Sequence, residues 1–150
     1  MVGDEAHLLL ERLCQQYVRA ATESLDRSEV AVWHHQLLFD WCRKQPASYE
    51  TADVVSGDVL AAHSDLWPEV QLAEKCGPRL AAVLRGSVAY QGLLFPGGSM
   101  EAVLPVYEDA VGGAFYNRCL VAALEVVVRL MPAEHRLVAL EVGAATGGTA

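Results

Sequence analysis

Basic residues are scarce. The 150 residues carry 11 Lys and Arg against 19 Asp and Glu, a formal net charge of -8. Nucleic acid and anionic membranes are held by lysine and arginine, so this balance argues against both as partners. The deficit sits in residues 1–75, with 13 acids and 6 bases, whereas residues 76–150 hold 6 and 5. The start, Met1-Val2-Gly3-Asp4-Glu5, lacks the basic region of a signal peptide. No apolar run approaches the roughly 20 residues needed to span a bilayer. The four cysteines, Cys14, Cys42, Cys76 and Cys119, form no C-x-x-C pair, which argues against zinc clusters and thioredoxin-type chemistry. Without an export signal, reduced and mostly buried thiols in a cytoplasmic protein are expected. What is present is a 53% hydrophobic, 20% charged chain, enough for one packed domain and no more.

Glycine divides the chain, since ten of the 12 glycines lie at or after Gly77. The first half reads as helices. Leu9, Leu13, Tyr17 and Ala21 recur at four-residue steps over 4–25, with Asp4 placed to cap them. Ser28 can cap a second helix to about Lys44, with an apolar stripe of Val30, Trp33, Leu37, Leu38 and Trp41. A connector over 47–57 leads to a short helix at 59–66. Pro68 opens a helix that Gly77 closes, and Pro78 opens another that Gly86 closes. Leu93-Leu94-Phe95 precedes the turn Pro96-Gly97-Gly98-Ser99 and a helix through Tyr107. Gly112-Gly113 reads as a break before a strong helix over 114–131. That helix is apolar on all but a narrow stripe of Arg118, Glu125 and Arg129, so it is expected to be buried on most sides.

The period then changes. Leu137-Val138-Ala139-Leu140 is a continuous apolar run, followed by Glu141-Val142-Gly143-Ala144-Ala145-Thr146-Gly147-Gly148. This reads as a buried parallel strand feeding a glycine-rich turn. Such a strand needs neighbouring strands and covering helices, and nothing earlier in the sequence is a convincing partner. The sequence therefore reads as the front part of a longer α/β domain. A glycine turn at the carboxyl end of a strand lets backbone pass close to a ligand. Dinucleotides want G-x-G-x-x-G, and here that register is Gly143-x-Ala145-x-x-Gly148, with one glycine replaced. S-adenosylmethionine brings an ammonium group and no pyrophosphate. A carboxylate two residues before the first glycine suits it, and Glu141 holds that place.

Four ordered motifs carry a family resemblance: Leu94-Phe95-Pro96-Gly97-Gly98-Ser99-Met100, Val106-Tyr107-Glu108-Asp109, Phe115-Tyr116-Asn117-Arg118, and Leu140 through Thr149. Together they resemble the opening of the methyltransferase domains embedded in modular polyketide synthases, closely over residues 67–150 and weakly before that. The resemblance implies a mostly α chain. Residues 1–135 would form a helical lid, and residues 136–150 would begin a class I Rossmann-like α/β methyltransferase core, truncated here. It implies S-adenosylmethionine as cofactor, bound by Glu141, Gly143, Ala144, Ala145, Thr146 and Gly147, with Tyr116 and Asn117 covering its methionine end. Ala145 stands where the family more often has glycine. The implied partners are an acyl carrier protein bearing a β-ketoacyl thioester and the neighbouring synthase domains. Methylation would fall on the α-carbon, or on a hydroxyl oxygen. The family's acid–base and ribose-binding residues lie further along such folds, so no catalytic residue is assigned. The rival readings are the start of a dinucleotide-dependent oxidoreductase and a non-catalytic helical adaptor.

Other features carry less. Asp4-Glu5-Ala6-His7 spells a helicase box without its phosphate loop. His34 and His35 are adjacent on a helix and point about 100° apart, so they read as a partly exposed pair and not a metal site. Ser99 lacks the G-x-S-x-G of a nucleophile elbow. Trp33, Trp41 and Trp67 are expected in core or lid packing.

Overall fold

The computed structural model describes residues 4–44, 53–140 and 142. Eight α-helices occur among them: α1 (Asp4–Glu23), α2 (Trp33–Lys44), α3 (Ser56–Ala62), α4 (Trp67–Cys76), α5 (Leu80–Arg85), α6 (Tyr90–Leu94), α7 (Leu104–Glu108) and α8 (Val111–Leu130). Single turns of 3-10 helix at Arg27–Glu29, Ser64–Leu66, Gly77–Arg79 and Pro96–Gly98 join or extend them. Among the described residues there is no β-strand.

The long helix α1 is the spine, and its four-residue stripe builds the core. Its first half joins α3 and α4 in one cluster of Ala6, Leu13, Val54, Val59, Leu66 and Val70, with Leu9 and Tyr17 packed against it. Its end joins α2 and α5 in a second cluster of Ala21, Leu25, Val30, Phe39 and Leu84. Phe39, Leu66 and Leu84 are fully buried, and each such side chain contributes about 1.5–3 kcal/mol relative to exposure. The close approach of α1 to the turn at Gly77 depends on glycine, because a Cβ there would lie 2.3 Å from the Tyr17 ring. Gly86 ends α5 with φ of 80°, a left-handed cap that glycine adopts without strain. The connector at Val54 is held by Gln16, whose amide donates to the Val54 carbonyl at 3.1 Å and accepts from its N–H.

Several expectations are corrected. Ser28 lies inside the 3-10 turn, and α2 begins at Trp33. The helix expected over 59–66 is split into α3 and the Ser64–Leu66 turn. Helix α2 turns Phe39 and Cys42 inward and leaves Trp33, Leu37, Leu38 and Trp41 exposed, so its most apolar stripe is not the core-facing one. Trp67 is also exposed. The inward face wins because Phe39 fills the gap between α1 and α5, while His35 Nδ1 sits 3.3 Å from the Leu84 carbonyl and Gln36 donates to the Val30 carbonyl at 2.7 Å. His34 is exposed and His35 half-buried, as expected. The cysteines are free, but only Cys42 is buried; Cys76 is half-buried, and Cys14 and Cys119 are exposed.

Polar contacts fasten the outside of the second cluster. Arg27 forks onto Asp40, with its Nε 2.8 Å from one carboxylate oxygen. Arg85 reaches Glu29 at 3.0 Å. The Arg27 bonds hold the Asp40 carboxyl below its ordinary range. The N–H of Asp26 does the same to Glu29, with Arg85 as the second cause.

Candidate functional site

The candidate site begins at the turn between α6 and α7. Gly97 and Gly98 both take positive φ, 62° and 83°, which side chains with a Cβ rarely adopt. The Ser99 hydroxyl accepts from the N–H of Glu101 at 3.2 Å, capping the approach to α7. Helix α7 packs on α4 and on α8. The glycine pair expected to break the chain does not do so, because Gly112 and Gly113 lie inside the first turn of α8. Gly113 is there for proximity. A Cβ on it would meet the Tyr107 carbonyl oxygen at 2.4 Å. Asn117, one turn further on, donates its Nδ2 to that same carbonyl at 3.3 Å. The end of α7 and the start of α8 thus form a tight corner around one oxygen atom.

Tyr116 projects from this corner, 72% exposed, with its ring edge-on to Phe115 at 5.5 Å. Beyond it, α8 carries no buried residue at all. The expectation that α8 is buried is therefore corrected: both its apolar faces, including Leu120, Val121, Leu124, Val127 and Val128, are open. An open groove of about 420 Å³ runs along it, lined by Val121, Leu124, Glu125, Val128 and Arg129. The reason is physical: among the described residues, α7 is the element that packs substantially against α8. The helix is also long and apolar enough, by length and composition, to cross a bilayer, which corrects the expectation that no stretch reaches that length. Arg118, Glu125 and Arg129 argue against that use, since such a charge at a bilayer centre costs about 2.5–3.5 kcal/mol.

The apolar run expected as a strand is likewise unpaired. Val138 is 83% and Leu140 88% exposed, and no ladder forms. A strand buried on both faces cannot exist without neighbours, and among the described residues this run has none. Glu141, Gly143, Ala144, Ala145, Thr146 and Gly147 lie outside the described residues. Of the expected site residues, the structure brings Tyr116 and Asn117 together at the α7–α8 corner. Sequence reasoning missed the Tyr107 carbonyl as the centre of that corner. A glycine four residues before Asn117 was the available signal.

Over 117 residues the chain is 32% identical to the non-reducing polyketide synthase nvfA of Aspergillus novofumigatus. It is related to a polyketide synthase. The match covers 72% of this chain and 5% of that protein, so the chain spans a small part of its relative's length. No protein-family model matches the sequence, and no solved structure does.

Proposed function

We propose that this chain is the helical lid and the beginning of the cofactor-binding core of an S-adenosylmethionine-dependent methyltransferase domain in a polyketide synthase. The observation that carries the reading is the sequence of surfaces at its end. A bare apolar helix, α8, is followed by a bare apolar run, then by Glu141 and a glycine-rich turn, in a chain related to a polyketide synthase. Both bare surfaces are what a class I α/β core would cover with strands and helices. The four ordered motifs point to the same domain. We place it in the cytoplasm with its synthase.

When bound, S-adenosylmethionine would supply an electrophilic methyl group for a deprotonated acceptor, the α-carbon of a β-ketoacyl thioester carried by an acyl carrier protein. The residues present fit it in part. Glu141 offers a carboxylate for the ammonium group, and Gly143, Ala144, Ala145, Thr146 and Gly147 offer small side chains that admit close backbone approach. Tyr116 has an exposed ring available to cover the methionine end. Asn117 already spends its Nδ2 on the Tyr107 carbonyl, so its part in this reading is to fix the corner from which Tyr116 projects. The helices would exclude water from the reacting centre. Removal of the acceptor proton requires a base, and none is assigned within this chain.

Calorimetry with S-adenosylhomocysteine and with NAD, on the domain that contains this chain, tests the reading. Heat with the nucleoside thioether, abolished by Glu141→Ala, supports it. Binding of NAD alone would replace it with the oxidoreductase reading, and absence of both with the adaptor reading.

A further inference from the structure

The Tyr116 ring is 72% exposed, yet its base is held in place. Gly113 lies against the Tyr107 carbonyl, where a Cβ would come within 2.4 Å, and Asn117 donates to the same oxygen. Tyr116 lies between these two residues and is fastened on both sides. Phe115 stands edge-on to it, with ring centroids 5.5 Å apart and planes at 73°. An edge-on neighbour covers at most one face of a ring, so at least one face of Tyr116 is open. The face of an aromatic ring carries partial negative charge and attracts a cation within about 6 Å.

The charges along the chain at this corner have the same sign. Glu108 and Asp109 follow Tyr107 directly, and both are exposed. The nearest base in sequence is Arg118, two residues beyond Tyr116 on α8. Two residues turn a helix by about 200°, so Arg118 leaves from the opposite side. A ligand at this ring therefore meets a site suited to positive charge.

We propose that Tyr116 reads the charge of the cofactor's sulfur: its open face holds the sulfonium of S-adenosylmethionine and discriminates against the neutral thioether of S-adenosylhomocysteine. The inference rests on the methyltransferase reading, in which Tyr116 covers the methionine end, and gives a reason for an aromatic ring there. The two ligands differ by one methyl group and one charge. Methyl transfer removes both. The acceptor's electron pair bonds the methyl carbon, the pair of the broken S–C bond stays on sulfur, and the sulfur becomes neutral. The ring thus favours the ligand that has yet to react and releases the spent one. A leucine would cover the same atoms without the attraction. A cation over such a ring is favoured about 2–5-fold at an exposed site and about 30-fold where water is excluded.

Calorimetry on the domain that contains this chain reads the ratio of the affinities for S-adenosylmethionine and S-adenosylhomocysteine. Tyr116→Leu is expected to lower that ratio by about 5–30-fold, chiefly by weakening the sulfonium ligand. Tyr116→Phe keeps the ring face and leaves the ratio within about 2-fold of wild type. Sinefungin, with a protonated amine where the sulfonium stands, should follow S-adenosylmethionine, which separates the charge from the methyl contact. Retained binding of S-adenosylhomocysteine shows that each variant is folded. Equal loss of both ligands in Tyr116→Leu overturns the inference, because the ring then supplies shape and not charge. So does an unchanged ratio, a ratio that falls as far in Tyr116→Phe, or sinefungin behaving like the thioether. In each of these cases the wild-type domain still binds the nucleoside and the methyltransferase reading stands. Failure of the wild-type domain to bind either ligand removes that reading and this inference with it.

Discussion

Replacing Gly113 with alanine would put a methyl carbon 2.4 Å from the Tyr107 carbonyl oxygen, 3.0 Å from its carbon and 3.1 Å from the Val106 oxygen. These are backbone atoms and cannot rotate away. The start of α8 must move off α7 by about 1 Å to restore contact distance, which costs about 1–3 kcal/mol as overpacking does. Against this, alanine favours the helix over glycine by up to ~1 kcal/mol. With the full offset, the expected result is a net loss of up to about 2 kcal/mol, or up to several degrees of Tm in a chain of this length. Gly112 is the control, because its Cβ would meet nothing within 4 Å. Gly112→Ala should therefore raise stability by up to ~0.5–1 kcal/mol, from the same helical preference and the smaller entropy of the unfolded chain. Urea and thermal melts of the two variants, followed by circular dichroism, read the difference. Two adjacent glycines in one helical turn are expected to give opposite signs. If both variants stabilise, or both destabilise equally, the corner around the Tyr107 oxygen is not as tight as described, and the placement of Tyr116 built on it fails.

Other outcomes follow from the same coordinates. Gly77→Ala drives a methyl group into the Tyr17 ring and should destabilise by about 1–3 kcal/mol, measured by chemical denaturation. Acid should destabilise, modestly because both ion pairs are exposed, the end of the bundle that holds α2 and α5. Asp40 and Glu29 have folded pKa values below their ordinary 3.8 and 4.5, so their contribution is present above those values and is lost as pH falls through the lower folded ones. Asp40→Asn should flatten part of that fall in a Tm-against-pH series. A thiol reagent should modify Cys119 on the native chain and reach Cys42 only on unfolding, because burial both hides the Cys42 thiol and pushes its pKa up. The same shift makes alkaline pH destabilising. The unfolded thiol loses its proton first, and a melt taken above the ordinary value of 9.0 should show it.

The parts of this fold that were legible in the sequence are those fixed by local chemistry. The stripe of α1 packs as its period requires, and the proline and glycine punctuation of α4 and α5 falls where the chain turns. The illegible parts depend on neighbours. The apolar stripe of α2 looks like a core face, but Phe39 fills the space between α1 and α5, and the tryptophans are left outside. Gly112-Gly113 looks like a break because flexibility and close approach use the same residue. Only the nearby Tyr107 oxygen shows which applies. The length and hydrophobicity of α8 suggested burial, yet a helix is buried by what packs on it, and among the described residues α7 is what packs on it substantially. For the candidate site, residue types at set spacing pointed to Tyr116 and Asn117. Their division into one exposed ring and one fastening amide needed coordinates.

The single oxygen atom shared by Gly113 and Asn117 has a mechanical consequence. With α7 and α8 joined at that atom and α7 packed on α4, a shift of one helix end is passed to the other. Upstream, Gly97 and Gly98 give two consecutive left-handed residues between α6 and α7, so the chain enters the corner through residues of wide backbone freedom.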